Sequence, residues 1–275
     1  MHFVCKKGAE NMKLDKIKTA VAGAEYDFLR TNEHLGKNII LLGLGGSHAY
    51  GTDTENSDLD IRGCAVNSRE DILCGEDFEQ VTDVPTDTTI YSFMKLIRLL
   101  TNCNPNTIEI LGLKREHYIY LSDIGKEMVD NRKMFLSKMA VKSFSGYATA
   151  QFHRLENKAD GIALGKRNKN AILHNKIGKH MMHLIRLYLM CLDILEKGEI
   201  VTYRTAEHDL LMSIRNGAFL DKESQPTYDF FALVEDYKRK LEYAENNTDL
   251  PEKPDYKRIR EFVMTVNEKV VIGKI

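Results

Sequence analysis

The sequence contains no tryptophan and only five cysteines in 275 residues. The cysteines are scattered and lack Cys-x-x-Cys spacing, which predicts free thiols in a reducing compartment and excludes a disulfide framework or a zinc site. No apolar run approaches the length of a membrane-spanning helix, and residues 1–7 contain no signal-peptide core. These absences predict a cytoplasmic globular protein with no membrane partner.

An excess of charge of one sign is also missing. The chain has 39 lysines and arginines against 40 aspartates and glutamates, for a formal net charge of −1. A protein of this charge has no global attraction to nucleic acid, so any basic site must be local. The most basic stretch is 151–183, with seven lysines and arginines against two acids. This stretch could steer an RNA or DNA end, or only a triphosphate.

A glycine-rich turn follows a short apolar run. Residues 38–44 have the length and composition of a strand, and Gly45, Gly46 and Ser47 come directly after them. Glycines let the chain turn sharply and bring backbone N–H groups close to a phosphate, and Ser47 adds a hydroxyl group. Gly46 and Ser47 are therefore predicted to bind the β- and γ-phosphates of a nucleotide.

Two aspartates follow about ten residues after this turn. On a strand over 57–63, Asp58 and Asp60 would project from one face while Leu59 and Ile61 face the core. Neighbouring carboxylates repel each other, so such a pair favours bound cations. We predict that the pair holds two Mg²⁺ (or Mn²⁺) ions, which bind the triphosphate, activate an attacking hydroxyl and stabilise the pyrophosphate leaving group. The alternative is a capped turn followed by a solvated strand edge.

These residues resemble the signature of the DNA polymerase β-type nucleotidyltransferase superfamily, which consists of a strand, Gly-Ser, a spacer and Asp-hydrophobic-Asp-hydrophobic. Outer segments resemble the family called RNA-ligase-associated polymerases; they are 87–91, 104–111, 179–187, 198–200 and 210–217. The resemblance covers roughly residues 38–217. It implies metal-dependent transfer of a nucleoside monophosphate from an NTP to a hydroxyl acceptor at an RNA or tRNA end.

The superfamily also carries a third carboxylate on a neighbouring strand, which helps to bind metal and accepts the proton of the acceptor hydroxyl. Asp87 is the predicted residue, because it begins an apparent strand over 87–91 and precedes a predicted helix over 92–100. Asp83 is a competing candidate. The predicted catalytic and metal-binding set is thus Asp58, Asp60 and Asp87.

Four chargeable side chains share one face of a long helix predicted over 169–197. Their spacings are three, four and three residues; they are Lys176, Lys179, His183 and Arg186. In one interpretation Lys179 neutralises phosphate charge, with His183 and Arg186 assisting as nucleotide-binding residues. In the other, this is a solvated face.

Other polar residues near the turn have a structural and a functional interpretation. His48 and Tyr50 either touch substrate or pack locally. Asp53 and Glu55 lie in a turn-rich loop and are interpreted as solvated acids rather than metal ligands.

Arg62 and Glu109 also keep two interpretations each. Arg62 either pairs with Asp60 or binds a phosphate. Glu109 either supports the site by pairing with a cation of the second domain, or is an ordinary carboxylate at a helix start.

The periodicity of the chain predicts an α/β fold. A helix is expected over 14–30, a loop with a possible helical turn over 69–84, and a short helix or strand over 107–113. Beyond residue 120 helical patterns dominate, over 122–139, 141–158, 169–197, 204–216, 225–246 and 254–270. We expect a nucleotidyltransferase domain with a small mixed sheet at 1–118, a helical domain at 119–275, and the site in the cleft between them.

The function expected from these features is Mg²⁺-dependent nucleotidyl transfer from ATP or another NTP. The alternatives are template-free synthesis of short oligonucleotides, nucleotidylation of a protein hydroxyl, and adenylylation of an antibiotic. A different class of function is a nucleotide-binding module without catalysis, which an intact set of three carboxylates disfavours.

Overall fold

A computed structural model describes residues 14–55, 57–163 and 171–274, with the side chains of 154, 156–163 and 171–175 left out of the description. The chain forms two compact units. Unit 1 comprises the described residues up to Arg98, together with Leu113–Arg132 and the segment from Lys257. Unit 2 comprises Leu99–Gly112 and Lys133–Tyr256. Both units are discontinuous in sequence, and the predicted domain boundary between 118 and 119 stays a prediction.

A five-stranded mixed sheet forms the centre of unit 1. Its strands are β1 (Ile39–Leu44), β2 (Ile61–Ala65), β3 (Gln80–Asp83), β4 (Thr88–Ser92) and β5 (Tyr118–Leu121). The order is β3-β4-β2-β1-β5; β2 and β4 are parallel and the other pairs are antiparallel. All six residues of β1 are buried, as expected for an apolar central strand covered on both faces. The predicted α/β class with a small mixed sheet is confirmed.

The strand predictions succeed for β1 and β4 and fail elsewhere. β2 begins only at Ile61, so the prediction that Asp58 and Asp60 stand on a strand is wrong; both precede it. The region 69–84, predicted as a loop with a possible helical turn, contains a helix at Arg69–Cys74 and the strand β3, which was not predicted. β5 was not predicted, although its Tyr-Ile-Tyr sequence favours a strand.

Helices account for most of the remaining chain. In chain order they are α1 (14–21), α2 (Phe28–Thr31), α3 (Gly46–Tyr50), α4 (Arg69–Cys74), α5 (Phe93–Thr101), α6 (Pro105–Ile108), α7 (Asp123–Asp130), α8 (Met139–Ala163), α9 (Ala171–Lys197), α10 (His208–Arg215), α11 (Tyr228–Asn247) and α12 (Tyr256–Val271). Within the described residues, no helix is long and apolar enough to cross a membrane.

The first predicted helix, over 14–30, is broken in the structure. Gly23 is extended, with φ −78° and ψ 176°, and it separates α1 from a 3₁₀ turn at Ala24–Tyr26 and from α2. The apolar periodicity continues through the break, which explains why the pattern alone predicted one helix.

Helix α5 begins as its sequence predicts. The Ser92 hydroxyl accepts a hydrogen bond from the Lys95 backbone N–H at 3.1 Å, which satisfies one free donor of the first turn. The predicted apolar side is buried; it consists of Phe93, Leu96, Ile97 and Leu100.

Helix α12 belongs to unit 1 although it lies far from the sheet in sequence. Its buried residues recur at spacings of three and four, which give one apolar face; they are Ile259, Phe262, Val266 and Val270. The Phe262 ring meets the Phe93 ring edge to face, with centroids 5.9 Å apart. This contact joins the last helix to α5.

Unit 2 is a helical assembly around α9. Helices α8, α10 and α11 all pack against it. Between Met181 and Leu195 every residue of α9 except His183 is buried, so the helix is covered on all sides over this length. Near its start, Gly178 lies so close to α10 that an added Cβ would overlap the carbonyl oxygen of Arg215.

A buried ion pair lies inside unit 2. Arg186 donates a hydrogen bond to Glu109 at 3.1 Å, and their side chains are only 1% and 7% exposed. Arg186 also donates to Nδ1 of His183 at 3.2 Å. A guanidinium group in the interior requires such partners, because an uncompensated buried charge is strongly destabilising. Of the two interpretations of Glu109, the structure shows pairing with a cation.

We expect Glu109→Gln to destabilise unit 2 by about 3–5 kcal/mol, because it removes the carboxylate that pairs with the buried Arg186 charge. Urea unfolding followed by circular dichroism measures the change, since the chain has no tryptophan to report it. Glu235→Gln is the matched control: it removes the acid of an exposed pair with Lys238 and should change stability by less than about 0.5 kcal/mol. Equal effects of the two variants would contradict this account.

The two helical glycines 178 and 146 should respond oppositely to alanine. Gly178→Ala should destabilise by about 1–3 kcal/mol, because the methyl group meets the backbone of α10. Gly146→Ala should stabilise by about 0.5–1 kcal/mol, because a Cβ at Gly146 in α8 meets open space and alanine is the better helix former. Thermal unfolding of both variants measures the difference; destabilisation by both would contradict the stated packing.

Candidate active site

The glycine turn after β1 encloses the second aspartate of the motif. The Gly45 N–H donates to the Asp60 carbonyl at 2.8 Å, which extends the pairing of β1 and β2 by one step beyond Leu44 and Ile61. A Cβ on Gly45 would lie 3.2 Å from the Cβ of Asp60. The turn and the residue before β2 are therefore in direct contact.

Gly46 makes the closest approach to the Asp60 side chain. Its φ is +54°, a left-handed conformation that favours glycine. A Cβ at this position would overlap Oδ2 of Asp60. Both the backbone conformation and the available space therefore require glycine at residue 46, and the backbone fixes one side of the carboxylate.

Arg62 connects two of the predicted carboxylates. Its guanidinium lies 3.5 Å from Oδ1 of Asp60 and 3.1 Å from Oδ1 of Asp87, and it also donates to the Asp87 carbonyl. The pairing with Asp60 was one of two predicted interpretations, and it is the one that the structure contains. The contact with Asp87 was not predicted, because a separation of 25 residues leaves no local signal in the sequence.

Strand register explains why Asp60 and Asp87 are neighbours. The parallel strands β2 and β4 pair Ile61 with Thr88, so the two aspartates precede paired residues. The side chain of Asp87 is 57% exposed, and its φ is +43°. The competing candidate, Asp83, instead accepts hydrogen bonds from the backbone and hydroxyl of Thr86 in the β3–β4 turn. Asp87 is thus the acid that lies beside Asp60.

Asp58 occupies a more open position than Asp60. It is exposed and, among the described residues, takes part in no hydrogen bond or ion pair, whereas the Asp60 side chain is 19% exposed. Carboxylate oxygens are the ligands that Mg²⁺ prefers, so the chemistry of the Asp58 and Asp60 pair fits this ion. Within the described part of the chain, however, no three acidic, histidine or cysteine side chains form a group that could hold a metal ion. The predicted set of three carboxylate ligands stays a prediction, and two of its members, Asp60 and Asp87, both contact Arg62.

The remaining residues of the turn pack locally. Ser47 is partly exposed in α3, and its carbonyl accepts the N–H of Thr52 at 3.0 Å. Tyr50 is buried. His48 lies 3.7 Å from the Asp53 carboxylate, so Asp53 has a local partner.

The cationic face predicted on α9 changes character along the helix. Lys176 and Lys179 are exposed, His183 is partly buried, and Arg186 is fully buried. Arg186 donates hydrogen bonds to Glu109 and His183 in the interior of unit 2. Neither of the two predicted interpretations, a nucleotide-binding face or a solvated face, describes this position. The sequence pattern missed this because the helical spacing identifies a shared face but not the depth at which the face enters the core.

The basic stretch 151–183 is only partly described by the structure. Residues 164–170, which include Lys166, Arg167 and Lys169, lie outside the described residues, and so do the side chains of Arg154 and Lys158. The predicted binding of a nucleic acid or a triphosphate by this stretch stays a prediction.

Two known proteins resemble parts of this chain. An uncharacterized 38.9 kDa protein in the nrdC-mobD intergenic region of Enterobacteria phage T4 is 28% identical over 131 residues, which are 43% of this chain and 39% of the phage protein. The chain therefore spans about two fifths of the length of that relative. The crystal structure of a nucleotidyltransferase-like protein from Exiguobacterium sibiricum 255-15 aligns with 94% of this chain and 75% of its own, at 10% identity and a TM-score of 0.31. This structural likeness is too weak to support an argument about the site.

The comparison with protein families extends over most of the chain. The model of the family described as RlaP, RNA repair pathway DNA polymerase beta family, matches residues 22–265. This range contains the glycine turn, the three aspartates and Arg62, as well as all of unit 2. The chain belongs to the RNA repair pathway DNA polymerase beta family.

Proposed function

We propose that the protein transfers a nucleoside monophosphate from an NTP to a hydroxyl group at an RNA end. In this reaction the hydroxyl oxygen bonds to the α-phosphorus, and the bond from that phosphorus to the oxygen bridging to the β-phosphate breaks. Pyrophosphate leaves, and the proton of the hydroxyl passes to a base. The observation that supports this proposal most is the contact of the Gly45-Gly46 turn with the Asp60 carboxylate.

The glycine turn suits a triphosphate because it has no side chains in the way. Backbone N–H groups in such a turn act as hydrogen-bond donors to phosphate oxygens, and the Ser47 hydroxyl adds another donor. Gly46 keeps the turn next to Asp60. A phosphate held by the turn would therefore lie beside this carboxylate.

Asp58 and Asp60 are the residues that would hold Mg²⁺ or Mn²⁺. When bound, two such ions would supply charge neutralisation of the triphosphate and activation of the acceptor hydroxyl. Asp58 is open to solvent and Asp60 is fixed against Gly46, so one ligand is adaptable and the other preset.

Asp87 is the proposed acceptor of the hydroxyl proton. The Arg62 guanidinium lies 3.1 Å from the Asp87 carboxylate and 3.5 Å from the Asp60 carboxylate. The positive charge of the guanidinium offsets the repulsion between the two carboxylates, so they can lie close together without a metal ion between them. Arg62 is thus a positioning residue for Asp87.

The family description supports RNA as the acceptor, since the family is assigned to an RNA repair pathway. Lys179 and His183 remain proposed nucleotide-binding residues of unit 2; Lys179 is exposed and carries the charge that a phosphate requires. The choice of acceptor can be read from where a labelled nucleotide is incorporated.

Asp58→Asn and Asp60→Asn should each reduce nucleotidyl transfer by about a thousandfold, because an amide cannot replace a carboxylate as a metal ligand. The measurement is incorporation of label from each of the four α-labelled NTPs with Mg²⁺ or Mn²⁺, in the presence and absence of RNA oligomers. Glu55→Gln, which alters an exposed acid of the same loop, is the control and should keep full activity.

Label in the RNA supports the proposal. Label in the protein itself or in free oligonucleotides would instead support protein nucleotidylation or template-free synthesis. Nucleotide binding by the unaltered protein without any incorporation would identify a non-catalytic module and overturn the proposal. Full activity in either aspartate variant would remove that residue from the mechanism.

Gly46→Ala should reduce transfer by about a hundredfold, because the added methyl group displaces the Asp60 carboxylate from its position. Gly75→Ala is a close control: Gly75 has φ +74° and so shares the backbone strain, but an added Cβ meets nothing within 4 Å. Initial rates and thermal unfolding of both variants separate strain from displacement. A similar loss of activity in the two variants would show that displacement of Asp60 is not the cause.

A further inference from the structure

Unit 2 contains a pocket with a volume of about 750 Å³, and its lining includes several polar side chains. One wall is a stripe of α8, in which the lining positions recur every three or four residues from Met139 to Gln151. Asn102 from the turn after α5, Asn106 of α6 and His183 of α9 line it as well. The volume lies in the range of sites for small organic ligands, about 300–1,000 Å³.

Hydrogen bonds inside unit 2 fix the polar side chains of the pocket. The Asn104 amide donates to the Tyr147 hydroxyl at 3.0 Å, and Nδ1 of His180 lies 3.0 Å from Oε1 of Gln151. These bonds limit the rotation of Tyr147 and Gln151. The pocket is therefore largely formed before any ligand arrives, which lowers the entropic cost of binding.

The ion pair behind the pocket determines the proton position of His183. Arg186 can only donate hydrogen bonds, so Nδ1 of His183 must accept the one at 3.2 Å. The imidazole is then neutral with its proton on Nε2, and Glu109 holds Arg186 in place from the other side. His183 thus has a fixed tautomer with one defined donor.

The composition of the lining restricts the class of ligand. Among the described lining residues there are three amide side chains, one phenol, one imidazole and a single cation, Lys142. Amides and the imidazole match the donor and acceptor edge of a nucleobase, the phenol ring offers a stacking surface, and one lysine matches one phosphate. A purely apolar ligand would remove these polar groups from water without offering them new hydrogen bonds, and a polyphosphate alone would meet only one positive charge among the described lining residues.

We infer that this pocket binds one nucleotide, with its base against the amide side chains and a phosphate near Lys142. The inference rests on the proposed function and specifies where unit 2 recognises its substrate. The nucleotide can come from two sources, the NTP or the terminal nucleotide of the RNA acceptor, because both present the same chemistry.

Gly146 offers a way to fill the pocket without disturbing the fold. It lines the pocket in the middle of α8, and a Cβ added there meets open space. Gly146→Leu should therefore place a side chain in the pocket and favour the helix at the same time. Ser145→Leu is the matched control, since residue 145 is the exposed neighbour in the same helix and does not line the pocket.

Titration calorimetry measures the Kd of the full chain for each NTP with Mg²⁺ and for short single-stranded RNA oligomers. Kinetic assays of nucleotidyl transfer measure the KM for the NTP and for the RNA. Gly146→Leu should weaken binding of one of the two ligands by at least about tenfold, and Lys142→Gln by a similar factor. Ser145→Leu and Lys133→Gln, which changes an exposed lysine of unit 2 outside the pocket, should have no effect.

Weaker binding of the NTP assigns the pocket to the incoming nucleotide, and weaker binding of the RNA assigns it to the acceptor. Values within twofold of the unaltered protein for both ligands, with circular dichroism showing folded variants, would overturn the inference. In that case retained transfer would leave the proposed function intact. If the unaltered protein does not transfer nucleotides, the proposed function is wrong. The Kd values would still decide whether the pocket binds a nucleotide.

Discussion

The contact of Gly46 with the Asp60 carboxylate is the constraint on which the candidate site depends. The left-handed backbone and the absence of space for a Cβ both require glycine, and the adjacent Gly45 N–H binds the Asp60 carbonyl. The turn that would hold phosphates and the acid that would hold a metal ion are thereby joined through the backbone. The bond from the Gly45 N–H to the Asp60 carbonyl joins two backbone groups and cannot relax by rotation of a side chain, so the fold itself sets the position of the Asp60 backbone.

Electrostatics adds a second level of organisation through Arg62. In a site with several carboxylates, repulsion would favour separation of the acids unless a positive charge lies among them. Arg62 supplies this charge between Asp60 and Asp87, while Asp58 remains in solvent. Arg62 therefore provides part of the positive charge that bound metal ions would otherwise provide. A metal ion that binds at this site would have to compete with the guanidinium for Asp60.

Much of the fold could be predicted from local patterns. The apolar run of β1, the Ser92 cap and the buried side of α5 were all evident, because each depends on neighbouring residues. The predictions failed where distant contacts decide the outcome. The start of β2, the burial of Arg186 and the link from Arg62 to Asp87 are set by strand register and by packing between segments far apart in sequence. The Gly-Ser and Asp-x-Asp pattern found the candidate site because its residues are close in sequence, whereas the pocket of unit 2 has walls from three separate helical regions and leaves no such motif.

The place of α12 in unit 1 has a consequence for how the chain becomes structured during synthesis. Phe262 packs against Phe93 of α5, yet more than 160 residues separate the two rings, and they include all of unit 2. The ribosome releases the residues of unit 2 before those of α12. The side of Phe93 that meets Phe262 therefore stays uncovered until α12 emerges, so all residues of the helical unit are synthesised before the unit that carries the aspartates can be completed.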